Sequence, residues 1–451
     1  MYVTKLSVEN VRLLANQTLS FRQGAQPRMW TVLLGENGTC KTTVLQAIAL
    51  GLAGSEGVAV GETTRWLRQP APNGLASVAF LTGSAGAVLP VASGPYYGAM
   101  RGQLNNQEGY FPLSAEVPDI LGPLRDPNVE VESRLRLTSL MRDPLPDGPG
   151  ASAIGFLRAV ATEPDGFFVA GYGAQRTLPQ PQDAGEQVRV GRTADRVASL
   201  FDRRHRMAGT NFFKLFSDNK PELAAPYQAE LQRLLRTHPT LLPAVDLHAE
   251  DKRLIGLDNG TRTVSLPMKS GPVRYRTAAH NLSEGYQSTL AWIADLIGQY
   301  MYASGRAVPC SEMVGVVLLD EIDLHLHPTW QRQIVPTLKA VFPKMQFIVT
   351  THSPLVLTGF EADEIIRLEL GDDGLIHARA GGAEPGLLSA TGILDQWFGT
   401  IQQVRPELLN AEREYVKLYA LQEPTSEQKR RLDELQAVLG PYWAARKGAS
   451  R

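Results

Sequence analysis

GENGTCKTT, residues 35–43, stands between the apolar run TVLL (31–34) and TTVLQAIALGL (42–52). The first run has the make-up of a buried strand. The second is apolar on most sides, as a buried helix is, so the nonapeptide is a loop from a strand into a helix. Small residues in such a loop let successive backbone N–H groups converge on phosphate oxygens, and the helix that follows adds its positive N-terminal end. Gly35, Glu36, Asn37, Gly38, Thr39, Cys40, Lys41, Thr42 and Thr43 are therefore the expected phosphate cradle. Lys41 is placed to reach the β- and γ-phosphates and Thr42 to offer its hydroxyl to Mg²⁺. One letter departs from the pattern. Cys40 stands where a glycine is expected, and a Cβ there strains the loop or crowds the phosphates.

Three other segments suit the same chemistry. VGVVLLDEID (314–323) is an apolar run ending in acids, which a buried parallel strand delivers into the ligand crevice of an α/β sheet. Asp320 then holds Mg²⁺ and Glu321 serves as general base toward a water. QFIVTTHSP (346–354) predicts a second buried strand with His352 at its end, within reach of a γ-phosphate or the attacking water. NLSEGYQSTLAWIADL (281–296) opens a long helix with a serine and a glycine, a further anion site. A plain capped helix, with Ser283 as N-cap and Glu284 in the first turn, accounts for the same residues.

The chain has 451 residues, 43% hydrophobic and 20% charged, the composition of a globular protein with ample core. No apolar run is long enough for a membrane helix, and residues 1–12 lack a basic head followed by an apolar run. Two cysteines, Cys40 and Cys310, without a CxxC pair argue against a disulfide or zinc scaffold and fit a reducing cytosol. A net charge of −1 leaves DNA binding to a local patch. Such a patch could be Arg189, Arg192, Arg196, Arg203, Arg204 and Arg206, or these could line a solvated helix face.

Along the chain, residues 2–21 predict two strands joined near Asn10 and Asn16. Residues 53–150 predict an antiparallel sheet with surface insertions, 151–161 a helix, and FFVAGYG (167–173) a strand entering a loop. Residues 191–243 are helical by pattern, and DNGT (258–261) is a hairpin turn. GDDG (371–374) reads as a turn between strands. Beyond about residue 386 the tail is helical, with Thr425 and Gln428 as a capping box and Leu432, Leu435, Val438 and Leu439 as an apolar stripe. Leu408, Leu409, Tyr415, Val416 and Tyr419 are expected to face that stripe.

The ordered set GENGTCKT, LSEGYQ, VVLLDEID and TTHSP resembles the Walker A, signature, Walker B and switch-histidine motifs of ABC-type ATPases. KLSVENVRLL (5–14) is similar to the opening of the SMC/RecF/OLD branch, and Walker B continues as IDLHLHP, unlike transporter ATPases. Stand-alone ATPases of anti-phage systems, of the Septu, PARIS and retron-associated types, look nearest. The resemblance implies an α/β fold: an ABC/SMC-head-like P-loop ATPase with a mixed sheet, an antiparallel β subdomain, a short helical lid and a C-terminal helical hairpin. Its expected parts are an ATPase lobe over 1–185, a lid over 186–280, the signature, Walker B and switch-histidine part over 281–385, and a tail over 386–451.

The same resemblance implies slow hydrolysis of ATP with Mg²⁺ in a cytoplasmic protein. It also implies a homodimer or higher homo-oligomer in which Ser283 and Gly285 touch the γ-phosphate of the opposite subunit and Asp323 lies in the loop crossing that interface. Lys41, Glu321 and His352 are then the catalytic set. Gln175 in GYGAQR (171–176) joins Thr42 and Asp320 on the metal, with Arg176 as the alternative in that loop, and Arg12 contacts nucleotide. The expected partner is an effector nuclease or another defence protein, with no membrane. A RecF-like repair clamp on DNA is the competing function.

Overall fold

The computed structural model describes residues 2–53, 168–178, 190–248 except 204, 251, 254–258, 261–388, 390–398, 406–419 and 425–448. It also describes the strands at 73–81, 98–104, 107–113, 130–138 and 145–146. Two compact units result, Met1–Ala390 and Thr391–Arg451.

The first unit begins with β1 (Tyr2–Val11) and β2 (Leu14–Ser20), then β3 (Trp30–Leu34) and α1 (Lys41–Ala53). β4 (Asn73–Leu81) and β5 (Val169–Tyr172) follow, then α2 (Thr193–Val197), α3 (Phe212–Asn219) and α4 (Pro221–Thr237). Three strands, β6 (Ile255–Asp258), β7 (Thr261–Ser270) and β8 (Val273–Ala278), lead into the long helix α5 (Glu284–Ser304). The unit closes with β9 (Gly315–Leu319), α6 (Pro328–Val341), β10 (Met345–Thr350), β11 (Ile365–Leu370) and β12 (Ile376–Ala380).

A six-stranded sheet in the order β5-β9-β10-β3-β11-β12 organises the site. Every neighbouring pair is parallel except β11 and β12. Interior parallel strands are covered on both faces, which is why WTVLL, GVVLL and MQFIVT are unbroken runs and every residue of them is buried. The register sets Leu319 beside Tyr172 and Val349, and Thr350 beside Leu33. The carboxyl ends of β3, β5, β9 and β10 thus lie side by side on one edge. Val44, Leu45, Ile48 and Leu52 of α1 pack into one core with Leu33, Leu318 and Ile348 of this sheet and with Val3 and Leu6 of β1.

A second sheet runs β2-β1-β4 and on through Glu130–Thr138, Gly98–Leu104 and Gln107–Leu113, with Leu145–Pro146 paired to Glu130–Thr138. β1 and β2 form a tight hairpin in which Val11 pairs with Leu14, so the turn is Arg12–Leu13 and Asn16 sits inside β2 opposite Glu9. The asparagines therefore do not make the turn. Asn10 and Arg12 both take positive φ there.

Phe212, Phe216 and Tyr227 form a tilted aromatic cluster between α3 and α4, and Tyr302 of α5 closes it. α5 is buried at every position from Ser288 to Met301 and ends at Gly305, whose φ of 63° is the left-handed cap glycine tolerates best. β6 and β7 make the expected hairpin, Asp258 paired with Thr261. Gly371 and Gly374 turn β11 into β12. The helix expected over 151–161 lies outside the described residues.

The described members of the arginine run divide: Arg192, Arg203 and Arg206 are exposed, while Arg196 is buried. Arg192 is paired with Asp195 at 2.9 Å, and Arg196 is buried, donating to the carbonyls of Val169 and Gly191 and lying over the Phe168 ring. Arg189 and Arg204 lie outside the described residues.

In the second unit, α7 (Pro406–Tyr419) and α8 (Ser426–Gly448) form a hairpin. α8 opens with a capping box: Thr425 N–H donates to Gln428 Oε1 at 2.9 Å, and Gln428 N–H to Thr425 Oγ1 at 3.3 Å. Leu435 and Leu439 are buried, whereas Val438, Val416 and Tyr419 are exposed. The expected facing stripe is thus only partly made. Arg431 of α8 bridges to Glu414 of α7 at 2.9 Å, an exposed pair of the kind that contributes little stability. The side chains of Leu408 and Leu409 lie outside the described residues.

Candidate nucleotide-binding site

The loop after β3 is built on close approach. A Cβ at Gly35 would lie 2.4 Å from Thr39 Oγ1 and 2.5 Å from the Leu368 carbonyl, so only glycine fits there. Thr39 Oγ1 donates to the Glu36 carbonyl at 2.8 Å, and its N–H to the same oxygen at 3.3 Å, which closes the turn. Glu36, Asn37 and Gly38 face solvent. Lys41 Nζ, largely buried, donates to the carbonyls of Gly35 and Glu36 at 2.7 and 2.8 Å. Burial lowers its pKa, against the pull of Asp320, Glu321 and Asp323. Thr43 is fully buried and accepts a hydrogen bond from Arg12 Nη1 at 2.7 Å, so the two side chains tie the β1–β2 hairpin to α1. The Arg12 contact is with the helix that carries the loop.

Cys40 adopts φ +65°. The position demands a left-handed backbone, for which an L-residue with a Cβ costs about 1–2 kcal/mol. The departure from glycine therefore acts through the backbone. Its Sγ lies 3.9 Å from the Gly38 carbonyl and packs at the margin of the main core.

At the end of β9, Asp320 is buried and both its oxygens are engaged. Thr42 Oγ1 donates to Oδ2 at 2.8 Å, and Thr350 Oγ1 donates to Oδ1 at 2.6 Å. Thr42 and Asp320 present hard oxygens side by side, the donor set that suits Mg²⁺. Glu321 follows at φ +49°, with its N–H donating to Thr350 Oγ1 at 2.7 Å. Cys40, Glu321 and His325 are three of the five described non-glycine residues with positive φ, a concentration of backbone strain at one edge of the sheet.

Past β10, Asp323 Oδ1 accepts from Thr351 Oγ1 and from the His352 N–H. The Asp323 carboxylate therefore holds the strand end that carries His352 within its own chain. His352 is half-buried, and burial first, then Lys41, lowers its pKa, which favours the neutral imidazole. Gln331 of α6 donates to the carbonyls of Asp323 and Leu326 and accepts from Ser353 Oγ at 2.7 Å.

In the loop after β5 the structure separates the two candidate residues. Gln175 is exposed, while Arg176 is buried and reaches into the site. Its Nη1 donates to the carbonyls of Gly173 and Asp320, and its Nη2 to the Glu321 carbonyl at 2.8 Å. Nothing brings Gln175 to Thr42 and Asp320 in this conformation.

The segment opening α5 faces solvent. Ser283 is the N-cap residue by position, but its side chain makes no capping bond and it is exposed. The plain-cap account thus holds for the position of Ser283 and for Glu284 in the first turn, without a side-chain capping bond. Gly285 is packed so closely that a Cβ would lie 2.4 Å from the His325 carbonyl. Glu284 pairs with His325 Nδ1 at 3.2 Å. Tyr286 packs on Trp330 and accepts the Ala244 N–H at 2.8 Å.

Thr350, Gln331 and Arg176 were not singled out, or only in passing, by sequence reasoning. Thr350 precedes the TH pair as one more threonine in a β-rich run, and nothing in one sequence marks it as a bridge between two acids.

Residues 179–358 match a protein family described as "AAA domain, putative AbiEii toxin, Type IV TA system". The chain is 24% identical to "Septu protein PtuA" of Bacillus mycoides (strain KBAB4) over 442 residues, 98% of this chain and 51% of the relative. It is 44% identical over 90 residues to "Retron Ec83 probable ATPase" of Escherichia coli, covering 20% of this chain and 17% of that protein. The chain thus spans about half the length of the first relative and less of the second. Among solved structures, an SMC head bound to the C-winged helix domain of ScpA aligns over 84% of this chain and 98% of its own, with a TM-score of 0.46 and 15% identity.

Proposed function

We propose that this chain is a Mg²⁺-dependent ATPase of the ABC/SMC type, working as a nucleotide-dependent dimeric switch within a bacterial anti-phage system and governing a partner effector such as a nuclease. The observation that carries the ATPase reading is the 2.8 Å hydrogen bond from Thr42 to Asp320, which joins the phosphate loop to the acidic strand end. Lys41 neutralises the terminal phosphates. Thr42 and Asp320 hold Mg²⁺, directly or through water, and the ion offsets charge on the β- and γ-phosphates when bound. Glu321 takes a proton from the attacking water, and the imidazole of His352 orients that water or the γ-phosphate. Similarity to PtuA over nearly the whole chain supports the defence setting.

The dimer rests on Ser283. Its hydroxyl is exposed and makes no capping bond, so it is available to a phosphate presented by a second copy. Light scattering on Glu321→Gln, with and without MgATP, tests this. ATP-dependent dimers that Ser283→Arg abolishes are the expected result, and a monomer under all nucleotide conditions refutes the switch. Co-purification with the product of a neighbouring reading frame tests the effector.

Burial of Arg196 and the pairing of Arg192 with Asp195 take two cations of that run away from the repair-clamp alternative.

A further inference from the structure

Arg176 is a cation in a place where cations are rarely left. It is buried, and burial lowers its pKa to about 10, so it remains charged at neutral pH. Its donors go to three elements. Nη1 serves the Gly173 carbonyl of its own loop at 3.0 Å and the Asp320 carbonyl at the end of β9. Nη2 serves the Glu321 carbonyl at 2.8 Å, and Nε donates to Ser288 Oγ of α5 at 3.2 Å. A rigid planar fork can hold adjacent carbonyls in a fixed relation in a way that a lysine, with one nitrogen, cannot.

What it holds is strained. Glu321 sits at φ +49°, a region an L-residue leaves unless its surroundings over-determine it. Its N–H is fixed by Thr350 Oγ1 at 2.7 Å and its C=O by Arg176. The peptide groups on both sides of the residue are therefore pinned, and with them the direction in which its carboxylate leaves the strand end. The fourth bond runs to Ser288, five residues beyond Ser283 on the helix whose opening faces solvent.

We infer that Arg176 is a positioning residue that ties the signature helix α5 to Glu321, so that the placement of α5 sets the aim of the general base. This rests on the reading of Glu321 as base given under Proposed function. It gives the exposed signature end a physical route to the chemistry within the same subunit. A displacement of α5 reaches the base through one guanidinium.

The test is a double-mutant cycle on the full chain with steady-state ATPase kinetics. Arg176→Lys keeps the charge and loses the fork. kcat should fall about 10- to 100-fold with the KM for ATP within about twofold, because aim is lost and binding is not. Ser288→Ala removes only the link to α5 and should lower kcat about 3- to 10-fold, with a fall in melting temperature of no more than about 4 °C from the unpaired Arg176 Nε–H. In the Glu321→Gln background neither substitution should lower the residual rate further, since there is no base left to aim. Equal losses in both backgrounds, or a loss of ATP affinity parallel to the loss of kcat, would make Arg176 merely structural and overturn the inference. Should Arg176→Lys fail to fold, Ser288→Ala decides alone by the same criteria. Normal turnover by Glu321→Gln alone would remove the base assignment and this inference with it, an outcome visible before any Arg176 variant is made.

Discussion

Thr42 donates its hydroxyl to Asp320 at 2.8 Å although 278 residues of chain separate them. Thr42→Ala removes one partner of this pair and leaves the carboxylate with only Thr350. Both Thr42→Ala and Asp320→Asn should weaken the apparent Mg²⁺ affinity at least about tenfold, since hard oxygen donors supply the ion's protein contacts. Binding of ATP without metal should change little. Titration calorimetry in the presence of EDTA and at stepped Mg²⁺ concentrations measures both quantities, and an unaltered Mg²⁺ dependence in Thr42→Ala counts against the assigned metal site.

Lys41 and Glu321 should separate binding from turnover. Lys41→Ala removes the cation proposed to face the terminal phosphates and should weaken ATP binding about tenfold or more, the scale of a lost charge-assisted contact. Glu321→Gln should retain affinity and lose about 10²- to 10⁴-fold in kcat, the usual worth of a general base. Equilibrium binding of a fluorescent ATP analogue beside phosphate release reads out the two halves.

Cys40→Gly should stabilise the protein. Relief of the left-handed strain is worth about 1–2 kcal/mol, offset by about 0.4–1 kcal/mol of added freedom in the unfolded chain. A net gain near 1 kcal/mol raises the melting temperature by about 2–4 °C or less in a chain of this size. ATP affinity should rise as the loop relaxes. Cys40→Val, with a branched Cβ at the same φ, should do the opposite in scanning calorimetry.

Asp295 gives a pH signature away from the catalytic edge. It is buried on α5, accepts from Tyr172 OH at 3.1 Å and from the Gly209 N–H at 3.0 Å, and burial raises its pKa to about 6. The folded protein therefore holds a proton there that the unfolded chain, with an aspartate near its ordinary value of about 3.9, releases. Between about pH 6 and 4 this group makes the fold more stable as pH falls. Asp295→Asn should remove that increment. The melting-temperature difference, wild type minus variant, should be more positive at pH 4.5 than at pH 7, and an equal difference at the two pH values contradicts the raised pKa.

The three strand-end segments after β3, β9 and β10 were legible because each couples a constraint to a chemistry. An interior parallel strand must be apolar along its whole length, so the first polar residues after TVLL and VGVVLLD stand out at the edge where ligands bind. Arg176 was not legible in the same way. Its partners outside its own loop lie 112 to 145 residues away, and an arginine between glutamine and threonine looks like a solvated loop residue until β5 is laid against β9. The run from 189 to 206 stayed open between two readings for the complementary reason. Charge counts carry no neighbours, and only the fold shows Arg196 inside and Arg192 joined to Asp195. In the tail, helical periodicity identified an apolar stripe correctly at Leu435 and Leu439, but periodicity does not say which face of the opposite helix meets it.

The place of β3 in the sheet has a consequence for biosynthesis. Its two neighbours, β10 and β11, are encoded more than 300 residues downstream. A ribosome adding roughly 5–20 residues per second would release β3 about 15–60 s before either partner strand exists. Throughout that interval the nascent segment WTVLL has both edges unpaired, and the phosphate loop that follows it has no acidic partner. Nucleotide cannot assist early folding, and chains interrupted before residue 345 should carry an exposed, aggregation-prone strand. Fragments ending before β10 are thus expected to be insoluble, a consequence of the strand order itself.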